Sequence, residues 1–64
     1  MKNDIWFYRA KMRLSQKKLA EALGISRAGL CRIESEEVIP NTRTALEMAR
    51  FFGVKVEDLF QLED

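Results

Sequence analysis

Between residues 26 and 34 the chain reads Ser-Arg-Ala-Gly-Leu-Cys-Arg-Ile-Glu, and only Leu30 and Ile33 in that run suit a core. The remainder is a hydroxyl, two guanidinium groups, a closing carboxylate at Glu34 and side chains small enough to let something approach the backbone. Such groups recognise; they do not break bonds. An arginine fork matches guanine O6 and N7, worth about 1–3 kcal/mol of discrimination, and an alanine methyl can meet a thymine methyl. Bond-breaking chemistry finds no support elsewhere. The sequence contains no histidine, its lone cysteine, Cys31, has no base beside it, and no carboxylate pair is spaced for acid–base work. The reading is therefore a non-enzyme without metal or cofactor.

Charge supports recognition of a polyanion. The formal net charge is only +1, but it is unevenly distributed. Residues 9–32 hold Arg9, Lys11, Arg13, Lys17, Lys18, Arg27 and Arg32 against the single acid Glu21. Residues 33–64 hold Arg43, Arg50 and Lys55 against eight acids. A basic half facing a polyanion, with the acidic half turned away, follows from that split.

Sixty-four residues make one domain, 1–64, with a core that must be efficient, since a chain this short buries only about 60% of its unfolded surface. A solitary thiol fits a reducing cytosol, no apolar run reaches the roughly 20 residues of a membrane span, and the opening "MKNDIWF" lacks a secretory core. The expectation is a cytoplasmic protein.

Periodicity predicts five helices and no strand. The first, about 4–12, turns Ile5, Tyr8 and Met12 inward. The second starts at the cap Ser15, buries Leu19, Ala20 and Leu23, and stops at Gly24. Ser26 caps the third, which runs to about Glu34. After "SEEVIPN", Asn41 or Thr42 caps a fourth helix with Leu46, Ala49 and Phe52 as its core, ending at Gly53. "VEDLF" forms a short fifth turn.

Residues 16–33, within a motif spanning about 15–34, then read as one unit. Two helices of about eight residues meet through a tight turn at Gly24, with the small Ala20 at their crossing, the pattern of a helix-turn-helix. The outer face of its second helix presents Ser26, Arg27, Ala28, Cys31 and Arg32. A helix fits the major groove of double-stranded DNA, with its amino-terminal residues at the base edges. Gly29 costs about 1 kcal/mol relative to alanine in a helix interior. Close approach to DNA or to the preceding helix would explain it. An ordinary helical hairpin with a solvated face fits residues 16–33 as well.

More of the chain carries a resemblance. "RAKMRLSQKKLAEALGISRAGLCRIE", "IPNTRTALEMARFFGV" and "VEDLF", at their spacing over about residues 4–60, resemble an XRE/Cro-C1-type DNA-binding domain of the lambdoid-repressor class. The resemblance implies an all-α, compact five-helix bundle. It implies that Gln16 bonds a phosphate and buttresses the recognition helix, and that Ser26, Arg27, Ala28 and Arg32 face bases or nearby phosphates. It further implies a partly buried ion pair between Arg9 and Glu34. One stretch departs from the pattern: Glu36 and Glu37 stand where such domains often have glycine and lysine. Arg43, just inside the fourth helix, is the candidate replacement contact, and Lys17 and Lys18 attract phosphate at longer range.

Trp6, Phe7 and Phe51 exceed what the inward stripes need. Together with Val54, Val56, Leu59, Phe60 and Leu62 of the apolar tail they suggest a homodimer, as half-sites one helical turn apart would require. The sequence thus reads as a sequence-specific DNA-binding transcriptional regulator, a repressor on a palindromic operator. The alternatives are an antitoxin, the DNA-binding part of a longer ligand-sensing regulator, and, from another class, a protein-interaction module.

Overall fold

The computed structural model describes residues 1–63. In chain order the elements are β1 (Lys2–Asn3), α1 (Ile5–Lys11), α2 (Gln16–Leu23), α3 (Arg27–Glu34), α4 (Thr42–Phe52), α5 (Val56–Leu59) and β2 (Phe60–Gln61). The five helices form the all-α body, with a core of Ile5, Leu19, Ala20, Leu30, Ile33, Met48, Ala49, Leu59 and Phe60.

Local capping explains most of the boundaries. The Oγ of Ser15 accepts from Lys18 N–H at 3.1 Å, that of Ser26 from Gly29 N–H at 2.9 Å, and Asn41 Oδ1 from Thr44 N–H at 2.8 Å. Each cap satisfies an amide that the first turn leaves without a partner. Asn41, not Thr42, is the cap of α4.

Helices α1 to α4 end alike, in Schellman motifs. After α2, Gly24 takes φ +70° while Ile25 N–H bonds Ala20 O at 3.0 Å; after α4, Gly53 takes φ +70° while Val54 N–H bonds Ala49 O at 3.0 Å. The left-handed position after α1 is Arg13 (φ +53°), with Leu14 N–H on Arg9 O at 2.9 Å. After α3 it is Glu36 (φ +68°), with Glu37 N–H on Arg32 O at 3.0 Å. In these last two the left-handed backbone carries a side chain, at a steric cost that glycine avoids.

The structure corrects the inward stripes at two points. Met12 is exposed, because α1 ends at Lys11 and the chain turns at Arg13, so that Leu14 packs against the core instead. Leu46 is 55% exposed while Met48 is fully buried. The stripe of α4 is Ala45, Met48, Ala49 and Phe52, the helical i, i+3, i+4, i+7 set. A spacing of three repeated from Leu46 to Phe52 drifts round the axis and leaves Leu46 outside.

A further correction concerns strands. β1 and β2 pair antiparallel, with Lys2 opposite Gln61 and Asn3 opposite Phe60. Asp4 N–H extends the pairing to Leu59 O at 2.9 Å. Two residues carry no alternation of polarity, so no sequence period announces such a strand. The pairing draws Leu59 and Phe60 into the core, where they are 0% and 6% exposed. They are therefore not interface residues. Val54 and Val56 pack partly buried against the same core, and of the apolar tail only Leu62 stays open, at 82%.

Candidate nucleic-acid interface

α2 and α3 are joined by Gly24, Ile25 and Ser26, a three-residue turn with Gly24 in the left-handed conformation. Leu19 and Ala20 on α2 meet Leu30 and Ile33 on α3 within the core, with Leu23 and Ile25 packed beside them. Burying that side of α3 leaves its other side outward. Ser26, Arg27, Ala28, Cys31 and Arg32 are all exposed.

The amino end of α3 is held by its own cap. A Cβ placed on Gly29 would lie 3.0 Å from Ser26 Oγ, and no atom of α2 comes within 4 Å of it. Packing against the preceding helix is thereby excluded as the reason for glycine. The absent side chain leaves room for the Ser26 hydroxyl over the first turn.

Three elements hold the carboxyl end of α3. From α1, Arg9 Nε donates to Glu34 Oε2 at 3.0 Å and Nη2 donates to Oε1 at 3.1 Å. Arg9 Nη1 donates to Leu14 O at 3.0 Å, binding the loop before α2 to the same guanidinium. Gln16, first residue of α2 and half-buried, places Nε2 at 3.4 Å from Glu34 Oε1. From β1, Asn3 Nδ2 donates to Ile33 O at 2.9 Å, while its Oδ1 accepts from Ile5 N–H at 3.2 Å. Asn3 was not among the sequence candidates. Nothing local marks it, since its partner lies thirty residues away.

Lys17 stands exposed on the first turn of α2. Arg43 is also exposed, and its Nε donates to Glu47 Oε1 at 2.7 Å, one helical turn along. The acidic loop after α3 is partly tied down, with Ser35 Oγ 2.9 Å from Glu37 Oε2. Glu36 and Glu37 are both exposed beside the last turn of α3, where carboxylates repel a polyanion. Among the described residues no group of histidine, cysteine and carboxylate side chains is placed to hold a metal ion, and no helix is long and apolar enough to cross a membrane.

Comparison with known proteins agrees with this geometry. Residues 7–59 match the helix-turn-helix family model. The chain is 45% identical over its whole length to an uncharacterized HTH-type transcriptional regulator of Methanocaldococcus jannaschii, covering 97% of that protein. It is 38% identical to YgzD, an uncharacterized HTH-type transcriptional regulator of Bacillus subtilis, again over all of this chain and 97% of the relative. A third relative, an uncharacterized HTH-type transcriptional regulator of Archaeoglobus fulgidus, is 34% identical across the whole chain and 91% of its own length. The chain belongs to the helix-turn-helix family of the XRE/Cro-C1 type, a DNA-binding, non-enzymatic class.

Proposed function

We propose that the protein is a cytoplasmic transcriptional repressor that occupies a palindromic double-stranded DNA operator as a homodimer, laying α3 of each protomer in the major groove. One observation carries the reading: the side of α3 opposite the core is open and consists of short or guanidinium side chains. Ser26, Arg27, Ala28 and Arg32 meet base edges in this reading, with Arg27 the main source of discrimination. Gln16, Lys17 and Arg43 meet phosphates. Gln16 keeps an amide hydrogen beyond the one directed at Glu34. Arg43 gives up only an exposed pair with Glu47, a contact of about 0.3–0.5 kcal/mol. Arg9 and Glu34 serve the fold.

Dimerisation raises an affinity that a net charge of +1 and a loop bearing Glu36 and Glu37 would otherwise keep low. Names given to the relatives, each a transcriptional regulator, support the regulatory role.

Selection from a random DNA pool, followed by titration of the enriched site at several salt concentrations, tests the proposal. The expected product is a near-palindrome with half-sites about 34–36 Å apart, and a salt slope of about −0.9 per phosphate contacted. A pool that yields no enriched sequence would leave the chain as a protein-interaction module.

A further inference from the structure

α4 presents an outer side that its own chain does not cover. Leu46 and Phe51, with Leu23 of α2, line an open groove of about 940 Å³ whose rim carries Arg43, Glu47 and Arg50. Arg43 is matched by Glu47 at 2.7 Å. Among the described residues Arg50 has no ion-pair partner. The groove is thus apolar beside an unmatched guanidinium. Elsewhere the same chain displays the complement: Leu62, 82% exposed, is followed directly by Glu63. Glu63 lies 3.4 Å from the amino-terminal nitrogen, but its own side chain is 53% exposed, and ion pairs open to water on one side contribute little. Pairing of β2 with β1 fixes the direction of this tail, and the exposure of Leu62 shows that it does not fill the groove of its own protomer.

We propose that the groove receives Leu62 and Glu63 of a second copy of the chain, with Leu62 against Leu46 and Phe51 and the Glu63 carboxylate on Arg50. The proposal rests on the homodimer reading above and supplies the surface that reading lacks. Exchange is reciprocal in a two-fold dimer, so each contact occurs twice. An arginine fork takes a carboxylate through two parallel hydrogen bonds, fixing register as well as attraction. The groove continues into an aromatic series: Phe51 to Phe52 at 5.4 Å, Phe52 to Tyr8 at 5.7 Å and Tyr8 to Phe7 at 5.2 Å between ring centroids. A second copy seated on Leu46 and Phe51 extends over the open edge of that series.

Sedimentation equilibrium of the full chain, beside Leu46→Asp, Arg50→Glu, Glu63→Arg and the double variant Arg50→Glu/Glu63→Arg, is the test. All three positions are exposed, and far-ultraviolet circular dichroism verifies that each variant folds. The expected result is a dimeric parent, a dissociation constant raised about tenfold in each single variant, and recovery in the double variant. A parent dimer whose constant is unmoved by all three single variants overturns the groove and leaves the dimer standing. A monomeric parent overturns both the groove and the dimer, while DNA half-site binding, measured separately, stays open. Weakening in both single charge variants without recovery on exchange overturns the Arg50–Glu63 pairing.

Discussion

Arg9 and Glu34 face each other across the seam between α1 and the last residue of α3, joined by two hydrogen bonds of 3.0 and 3.1 Å. Their side chains are 14% and 9% exposed, so each depends on the other for the polar contacts that water would otherwise provide. Replacing either residue alone by alanine strands the survivor, a loss of about 3–5 kcal/mol. Stability of small domains is of that order, so Arg9→Ala and Glu34→Ala should be largely unfolded at room temperature in urea titrations. Arg9→Lys should recover little, because an ammonium cannot span both carboxylate oxygens and reach Leu14 O as well. A lysine variant with parental stability would show that the fork geometry is irrelevant.

Arg27→Ala and Lys17→Ala should part company on DNA. The arginine variant is expected to lose about 1–3 kcal/mol on the preferred sequence and to tolerate changes at one base pair. The lysine variant should weaken all sequences alike and reduce the salt slope by about one. Competition titrations with a panel of singly altered sites compare the two directly. Parallel loss across the panel for both variants would move Arg27 from the bases to the phosphates.

Glu36→Gly should improve the protein twice over. It removes the side chain from a left-handed position with φ +68°, a gain of about 0.5–1 kcal/mol after the greater backbone freedom of unfolded glycine is set against it. For a domain this small that raises the melting temperature by about 2–8 °C. It also removes a carboxylate next to α3, so on the proposed docking DNA affinity should rise, most at low salt. Differential scanning calorimetry and binding at two ionic strengths measure the two effects independently.

Asn3→Ala deletes a donor to Ile33 O and an acceptor for Ile5 N–H together. The expected cost is about 1–3 kcal/mol, chiefly because the Ile5 N–H is left without its partner, while Ile33 O keeps only the Glu36 N–H at 3.1 Å. Amide hydrogen exchange should show faster opening of the last turn of α3 than of α4. Equal acceleration throughout the chain would indicate that Asn3 supports the fold as a whole rather than the end of that helix.

Local chemistry made much of the architecture legible. Ser15, Ser26, Gly24 and Gly53 act on amides or carbonyls within a few residues, and their caps could be read without knowing the fold. Leu46 and Met48 show where such reading stops. Both are apolar and two residues apart, and only the direction from which α1, α2 and α5 approach decides which is buried. Leu59 and Phe60 looked like spare apolar surface because the β1 residues that fold them inward stand at the far end of the chain. The exposed side of α3 was legible because its complement, Leu30 and Ile33, is strongly apolar. Asn3 was not, because an asparagine two residues from the amino terminus has no property that points to Ile33.

The β1–β2 pairing brings Lys2 and Asn3 to one corner with Phe60 and Gln61, and Asn3 ties that corner to the final turn of α3. A tug on Lys2 would reach the last turn of α3 through the Asn3 amide. Tags and reporters on this protein are therefore not neutral handles: their linkers need enough slack that Lys2 and Asn3 stay zipped to Phe60 and Gln61.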